Sequence, residues 1–326
     1  MPQRIYRWIR MRKFLKIAVK VIATFVAVVI ATLATTTIVN ASASRSEASK
    51  IKSYGQRVSV DDKNMNVLIQ GDGAETVVLL PGFGTAAPAL DFTPLIAELA
   101  PHYRVVVVEP FGYGLSDTTD KPRTTQNITT EIHTALSKLN ISRYALMGHS
   151  IAGIYALDYA NRYRGELTAF VGIDSSVPTQ PGMDEALPIA AMTAAKKLGL
   201  TRVAAALAGD PYAGLPYDDD TKEQMKLLSL KNSMSVTYSN EIEHFSSNFM
   251  AGRAQSFPRD LPVLEFVQNN NTDVEGWLAL HEEQVASVNI GELVQLDATH
   301  YLHHTKSKEI VEHFTQFMTS ASEHQE

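Results

Sequence analysis

The sequence predicts an α/β fold, with a mostly parallel eight-stranded sheet flanked by helices and a helical segment inserted after the sixth strand. Three observations predict it. The runs "TVVLL" (76–80), "RVVVV" (104–108), "YALMG" (144–148) and "TAFVGI" (168–173) are short, rich in β-branched residues and apolar throughout. Strands buried on both faces of a parallel sheet read this way. Helical stretches at about 91–100, 124–139 and 151–163 separate these runs, which is the alternation of right-handed βαβ units. Between about 178 and 258 the alternation stops, and every periodic segment reads as helix.

The elements follow in order. Residues 1–43 carry seven of the chain's 29 basic residues and no acid. Within them Val21–Val39, "VIATFVAVVIATLATTTIV", runs uncharged for the length of a membrane span. Ala41-Ser42-Ala43 resembles a signal-peptidase site. Two readings stand: a signal peptide cleaved near Ala43, or an uncleaved transmembrane anchor at residues 21–39. Basic flanking charge keeps the N-terminus inside, so both export residues 44–326, either anchored at the cell membrane facing outside or secreted. "SASRSEASK" (42–50) reads as a polar linker. "QRVSV" and "NVLIQ" form an antiparallel pair ahead of the four parallel strands, and "LPVLEFV" (261–267) and "LVQLDA" (293–298) resume the sheet after the insertion. The helix "SKEIVEHFTQFMTSA" closes a second domain, 44–326.

Composition excludes some functions. The chain has no cysteine, which removes disulfides, thiol nucleophiles and thiolate metal sites. Outside residues 1–43, 22 basic residues face 35 acids, a balance that disfavours nucleic acid as a partner.

Chemistry centres on "ALMGHSIAGIYA" (145–156). Ser150 sits where a strand turns sharply into a helix, and residues two away on either side must be small. Gly148 meets this; Ala152 adds one methyl, and Gly153 keeps the helix start slim. Amide groups at the helix N-terminus favour developing negative charge. Taken alone, the turn fits a nucleophile and a simple N-cap alike, and its partners elsewhere in the chain favour the nucleophile. Such a nucleophile needs a base and an oxyanion hole. "LLPGFGT" (79–85) directly follows a strand and offers the Phe83 N–H, with the Ile151 N–H as second donor. "DATHYLHHT" (297–305) follows the last strand and supplies His300 as base. His303 and His304 are read as structural or surface residues. Three clustered histidines also fit a metal site, but no carboxylate at helical spacing accompanies them, so neither metal nor organic cofactor is expected.

"LLPGFG", "VVVVEPFGYGLSD" (105–117), "GHSIAG" and "DATHYLHH" occur in the order of the α/β-hydrolase family, in its cap-bearing branch, and the chain resembles that family over about 76–305. Glu109 takes the aspartate slot of the family's D-x-x-G-x-G-x-S loop. The resemblance implies the α/β-hydrolase fold, Ser150 as nucleophile, His300 as general base and a lid built from 178–258. It places the acid after the strand 261–267, where this chain reads "VQNNNTD": Asn271 falls roughly in the aspartate slot, with Asp273 two residues on. Asp174, in "FVGIDSSVP" at the end of the sixth strand, is the preferred acid and Asp273 the alternative. Dehalogenases and epoxide hydrolases of the family use aspartate as nucleophile, so a serine points to acyl transfer. The expected reaction is hydrolysis of a small to medium carboxylic ester. Phe245, Phe249 and Tyr238 in the insertion point to a moderately apolar pocket. The rival readings are a serine aminopeptidase using "YDDD" (217–220) to hold an amine, an acyltransferase, and a non-catalytic ligand-binding module.

Overall fold

The computed structural model describes residues 2–183, 185 and 187–323. In chain order the elements are α1 (Pro2–Ala48), β1 (Gln56–Val60), β2 (Lys63–Gln70), β3 (Thr76–Leu80), α2 (Pro88–Asp91), α3 (Thr93–Leu99), β4 (Arg104–Glu109), α4 (Thr125–Lys138), β5 (Tyr144–His149), α5 (Ala152–Arg162) and β6 (Leu167–Ile173). They continue with α6 (Ile189–Lys197), α7 (Leu200–Ala208), α8 (Asp219–Asn232), α9 (Val236–Gly252), β7 (Val263–Gln268), α10 (Trp277–Ala286), β8 (Gly291–Leu296), α11 (Leu302–Thr305) and α12 (Ser307–Glu323). The chain divides into two compact units: residues 1–49 with 190–209, and residues 50–189 with 210–326.

The second unit holds one eight-stranded sheet in the order β1-β2-β4-β3-β5-β6-β7-β8. β1 with β2 and β2 with β4 are antiparallel; every other neighbouring pair is parallel. Side chains alternate across β3 and β4, as the two-residue period of a strand requires. Val78, Leu80, Val106 and Val108 share a core with the α4 residues Ile128 and Ile132 and the α5 residues Ile154 and Leu157. Val77, Leu79, Val105 and Val107 share the other core with Leu95 and Leu99 of α3 and Ile310 and Phe314 of α12. The continuous apolar runs are thus strands covered on both faces.

Helix starts follow local chemistry. Thr124, Asp218 and Ser235 cap α4, α8 and α9, each side chain accepting the N–H three residues on. The "YDDD" stretch is therefore no free turn: Asp218 caps α8, Asp219 and Asp220 lie in its first turn, and Tyr217 is buried.

The stretch 42–50, expected as a linker, is helical through Ala48. It contains neither Gly nor Pro, and extending an existing helix costs far less than starting one. In this first unit α1 is long and apolar enough to cross a membrane. It meets α6 and α7 through Asn40, which donates to the Lys196 carbonyl at 3.1 Å, and Arg202, which pairs with Glu47. A second difference is α10, between β7 and β8, where no helix was expected.

Glu265 lies fully buried in β7, opposite Gly172 of β6. A Cβ at Gly172 would fall 1.8 Å from Glu265 Oε2, so that position admits no side chain. Glu265 Oε2 accepts from Ser175 Oγ at 3.0 Å, and Oε1 has no partner among the described residues. Burial pushes this carboxyl up to about 8. The folded chain therefore keeps a proton that the unfolded chain releases near 4.5. Glu265 contributes stability that is complete below 4.5 and is lost as pH rises through about 8, with a slope of up to ~1.4 kcal/mol per pH unit. Urea unfolding of wild type against Glu265→Gln across this window should show the variant gaining on wild type as pH rises. A constant difference would refute the assignment.

Candidate active site

Ser150 stands between β5 and α5 with φ of 55°, a left-handed conformation that is costly for a residue with a side chain. The surrounding backbone holds it there. Ser150 N–H donates to the Ile173 carbonyl at 3.2 Å, and the Ser150 carbonyl accepts from Ser176 N–H at 2.7 Å. Small neighbours make the turn possible. A Cβ on Gly148 would stand 3.0 Å from the Ala152 methyl, and one on Gly153 would meet the Ser176 carbonyl at 2.5 Å. Ala152 thus fits because Gly148 faces it.

Asp174, the next residue after β6, also takes a left-handed conformation, φ 46°. Its carboxylate has no solvent exposure. Oδ1 accepts from Gln268 N–H at 2.9 Å and from the Trp277 indole N–H at 2.7 Å. Oδ2 lies 2.6 Å from His300 Nδ1. Asp273, the alternative acid, is exposed and makes no bond to His300. Its N–H, like that of Val274, goes to the Asn271 side chain; Asn271 shapes this turn. Trp277 is held in turn by His281, whose ring spans the Trp277 and Ser175 carbonyls at 2.8 Å each.

Ser150 and His300 line one cavity of about 400 Å³ with Phe83, Ile151, Phe245, Phe249 and Trp277. No hydrogen bond joins Ser150 to His300 among the described residues; such contacts often close only around substrate. The Phe83 and Ile151 N–H groups donate to no described atom, so both are available to a ligand. Tyr238 and Phe245 pack on the Phe83 ring, each with centroids 4.5 Å away. The residues 217–220 do not line this cavity; Asp273 does.

A row of buried rings supports His300. His149 Nε2 donates to the His300 carbonyl at 3.1 Å, and the two rings lie 4.7 Å apart. Burial drives the His149 imidazole well below its usual range, aided by His303 and His300 nearby. His303 and His304 are buried, which rules out the surface reading, and they bond Asp91 Oδ2 and Oδ1 at 2.7 and 2.9 Å. Burial works to raise the Asp91 carboxyl, but the bonds from His303 and His304 outweigh it and hold it well below the usual carboxylate range. The carboxylate that the histidine cluster lacked in sequence thus comes from α2, and these three groups are the one metal-type donor set among the described residues. A metal on His303 Nε2 would move the ring proton to Nδ1, which is buried without an acceptor among the described residues. Ligating histidines normally have one there, so the set fits a hydrogen-bonded latch better than a metal centre. Glu109 is equally saturated, by Tyr54, Asn66 and the Ala89 and Leu115 N–H groups.

Sequence reasoning missed Trp277, His149, Asp91 and Glu265. The signal available for Trp277 was "GWLALHEEQVA" (276–286), an unassigned helix-length stretch opening with one of two tryptophans.

Comparison with known proteins accords with this geometry. The model of the alpha/beta hydrolase family matches residues 77–313. The chain is 27% identical over 286 residues to the protein YbdG of Bacillus subtilis (strain 168), covering 83% of this chain and 88% of that one. It is 37% identical over 106 residues to the putative carbamate hydrolase RutD of Pantoea ananatis, a match limited to 32% of this chain and 38% of that protein. Among solved structures, the enol-lactonase of Burkholderia xenovorans LB400 superposes with a TM-score of 0.60 at 19% identity, over 81% of this chain and all of its own. A putative epoxide hydrolase of Pseudomonas aeruginosa gives 0.62 at 16% identity, over 82% and 96%. With its family model matched from the first parallel strand to the last helix, the chain belongs to the alpha/beta hydrolase family.

Proposed function

We propose that the protein is a serine hydrolase that cleaves a small to medium carboxylic ester through an acyl-enzyme. The observation that carries this reading is the 2.6 Å contact between buried Asp174 and His300 Nδ1, beside a serine in a strained turn that shares a cavity with His300. In the mechanism, Ser150 Oγ attacks the ester carbonyl and His300 Nε2 takes its proton. Asp174 orients the ring and balances its charge. The Phe83 and Ile151 N–H groups receive the oxyanion. His300 returns the proton to the leaving alcohol, then activates water to release the acid and restore Ser150. The apolar side of the cavity, with Phe83, Phe245 and Phe249, suits the acyl chain. The likeness to an enol-lactonase accords with ester cleavage. A serine in the nucleophile position separates this chain from the epoxide hydrolases that share its fold.

One observation favours a second reading. Asp273 lines the cavity as a carboxylate, and a serine aminopeptidase needs one to hold a substrate amine.

We further propose that α1 is retained as a membrane anchor through residues 21–39, with residues 44–326 on the outer side. A cut near Ala43 would remove Asn40, which binds the Lys196 carbonyl and Arg202 Nε.

A fluorophosphonate probe should label Ser150 in the wild type and leave Ser150→Ala unmodified; an unlabelled wild type refutes the serine mechanism. Asp174→Asn should lower kcat on p-nitrophenyl esters by about 10⁴-fold, with Asp273→Asn near wild type, and the reverse outcome would reassign the acid. Faster turnover of aminoacyl anilides than of esters, lost in Asp273→Asn, would favour the peptidase. After alkaline carbonate washing, the protein should stay with the membrane fraction at full length. A soluble product beginning near Ser44 would replace the anchor with a cleaved signal.

A further inference from the structure

α7 is a nine-residue helix, LTRVAAALA, that buries none of its residues. Leu200, Val203, Ala204 and Leu207 recur at the spacing of one helical face. All four are exposed, Leu207 by 83%. Soluble proteins seldom leave a continuous apolar helix face to water. α6, the helix before it, also buries nothing.

α1 indicates what covers this face. α6 and α7 share one compact unit with α1 and meet it over a short stretch. A Cβ at Gly199 would come within 2.6 Å of the Thr36 carbonyl. Asn40 donates to the Lys196 carbonyl at 3.1 Å and accepts from Arg202 Nε at 3.2 Å. Arg202 also pairs with Glu47. The Thr36 and Asn40 contacts lie at the C-terminal end of the uncharged run Val21–Val39, the level at which a spanning α1 would emerge from the hydrocarbon, and Glu47 lies beyond it. The 18-residue apolar window of α1 is itself unburied by protein. Charge follows the same division. Lys196 and Lys197 fall in the last turn of α6, Arg202 turns towards α1, and the Leu200–Leu207 stripe carries none. A helix with one apolar face and cationic residues beside it suits the boundary between lipid headgroups and acyl chains.

We propose that α7 docks into the lipid bilayer where α1 emerges, with Leu200, Val203, Ala204 and Leu207 among the acyl chains. The inference rests on the reading of α1 as a retained anchor, and the test separates the two. The absence of cysteine allows single bimane labels on the full chain, at Val28→Cys in α1, Leu207→Cys in α7 and Lys308→Cys at an exposed position of α12. The labelled protein is reconstituted in phosphatidylcholine–phosphatidylglycerol vesicles and exposed to doxyl-lipid or to iodide. Bimane at 28 and at 207 should lose fluorescence to doxyl-lipid and resist iodide, while 308 should show the opposite. Adding Leu207→Asp to a Val203→Cys label should transfer quenching at 203 from lipid to iodide. If 28 reports lipid but 207 reports iodide, this inference fails and the anchor stands. If neither reports lipid, both fail. A 207 label shielded from both quenchers would mean that protein, such as a second copy, covers the stripe, and would also overturn the proposal.

Discussion

The candidate site depends on a carboxylate that no water reaches. An ionised group buried without partners is prohibitively costly, so Asp174 must be surrounded by donors, and each comes from a different element. Gln268 supplies a backbone N–H at the end of β7, Trp277 an indole N–H from α10, and His300 its ring from the segment after β8. These bonds require β6, β7 and β8 to be parallel neighbours ending at the same edge, as the sheet order places them. Ligands of open α/β sheets bind at that edge. Satisfying Asp174 thus determines where the imidazole stands.

Ser150 and Asp174 form a matched pair. Both follow the last residue of a strand, both have positive φ, and β5 and β6 are adjacent. Strain of this kind persists only where the surroundings over-determine it. Here the two turns are laced together by Ser150 to the Ile173 carbonyl and by Ser176 to the Ser150 carbonyl. Below them, Asp91 ties the residues just after His300 to α2, which follows the loop carrying Phe83. His300 and the Phe83 loop are therefore braced by one buried carboxylate, and Ser150 and Asp174 by shared backbone bonds.

The insertion between β6 and β7 divides in two. α8 and α9 belong with the sheet, and α9 brings Phe245 and Phe249 to the cavity. α6 and α7 belong with α1. Composition anticipates the division. α9 carries large aromatics that need a cavity or core, whereas α7 carries Ala, Val and Leu with no burial of its own.

What the chain states locally was legible in it. Strand periods, the small residues around Ser150, the glycine turn before Phe83 and the histidine after the last strand are short-range patterns, and they determined the sheet and singled out Ser150, Phe83 and His300, which the fold brings to one cavity. Contacts between distant residues were not legible. Asp174 and Asp273 both follow strands; only the folded chain decided which meets His300, across 126 positions. His303 and His304 had no visible partner because Asp91 lies more than 200 positions away. The polar stretch 42–50 looked like a linker because composition does not reveal that a long helix runs into it. Local steric and hydrogen-bonding rules thus dictated which residues were candidates. Tertiary structure decided which of them are partners, because burial turns one of two equivalent-looking carboxylates into a group that must find three donors, and leaves the other in water.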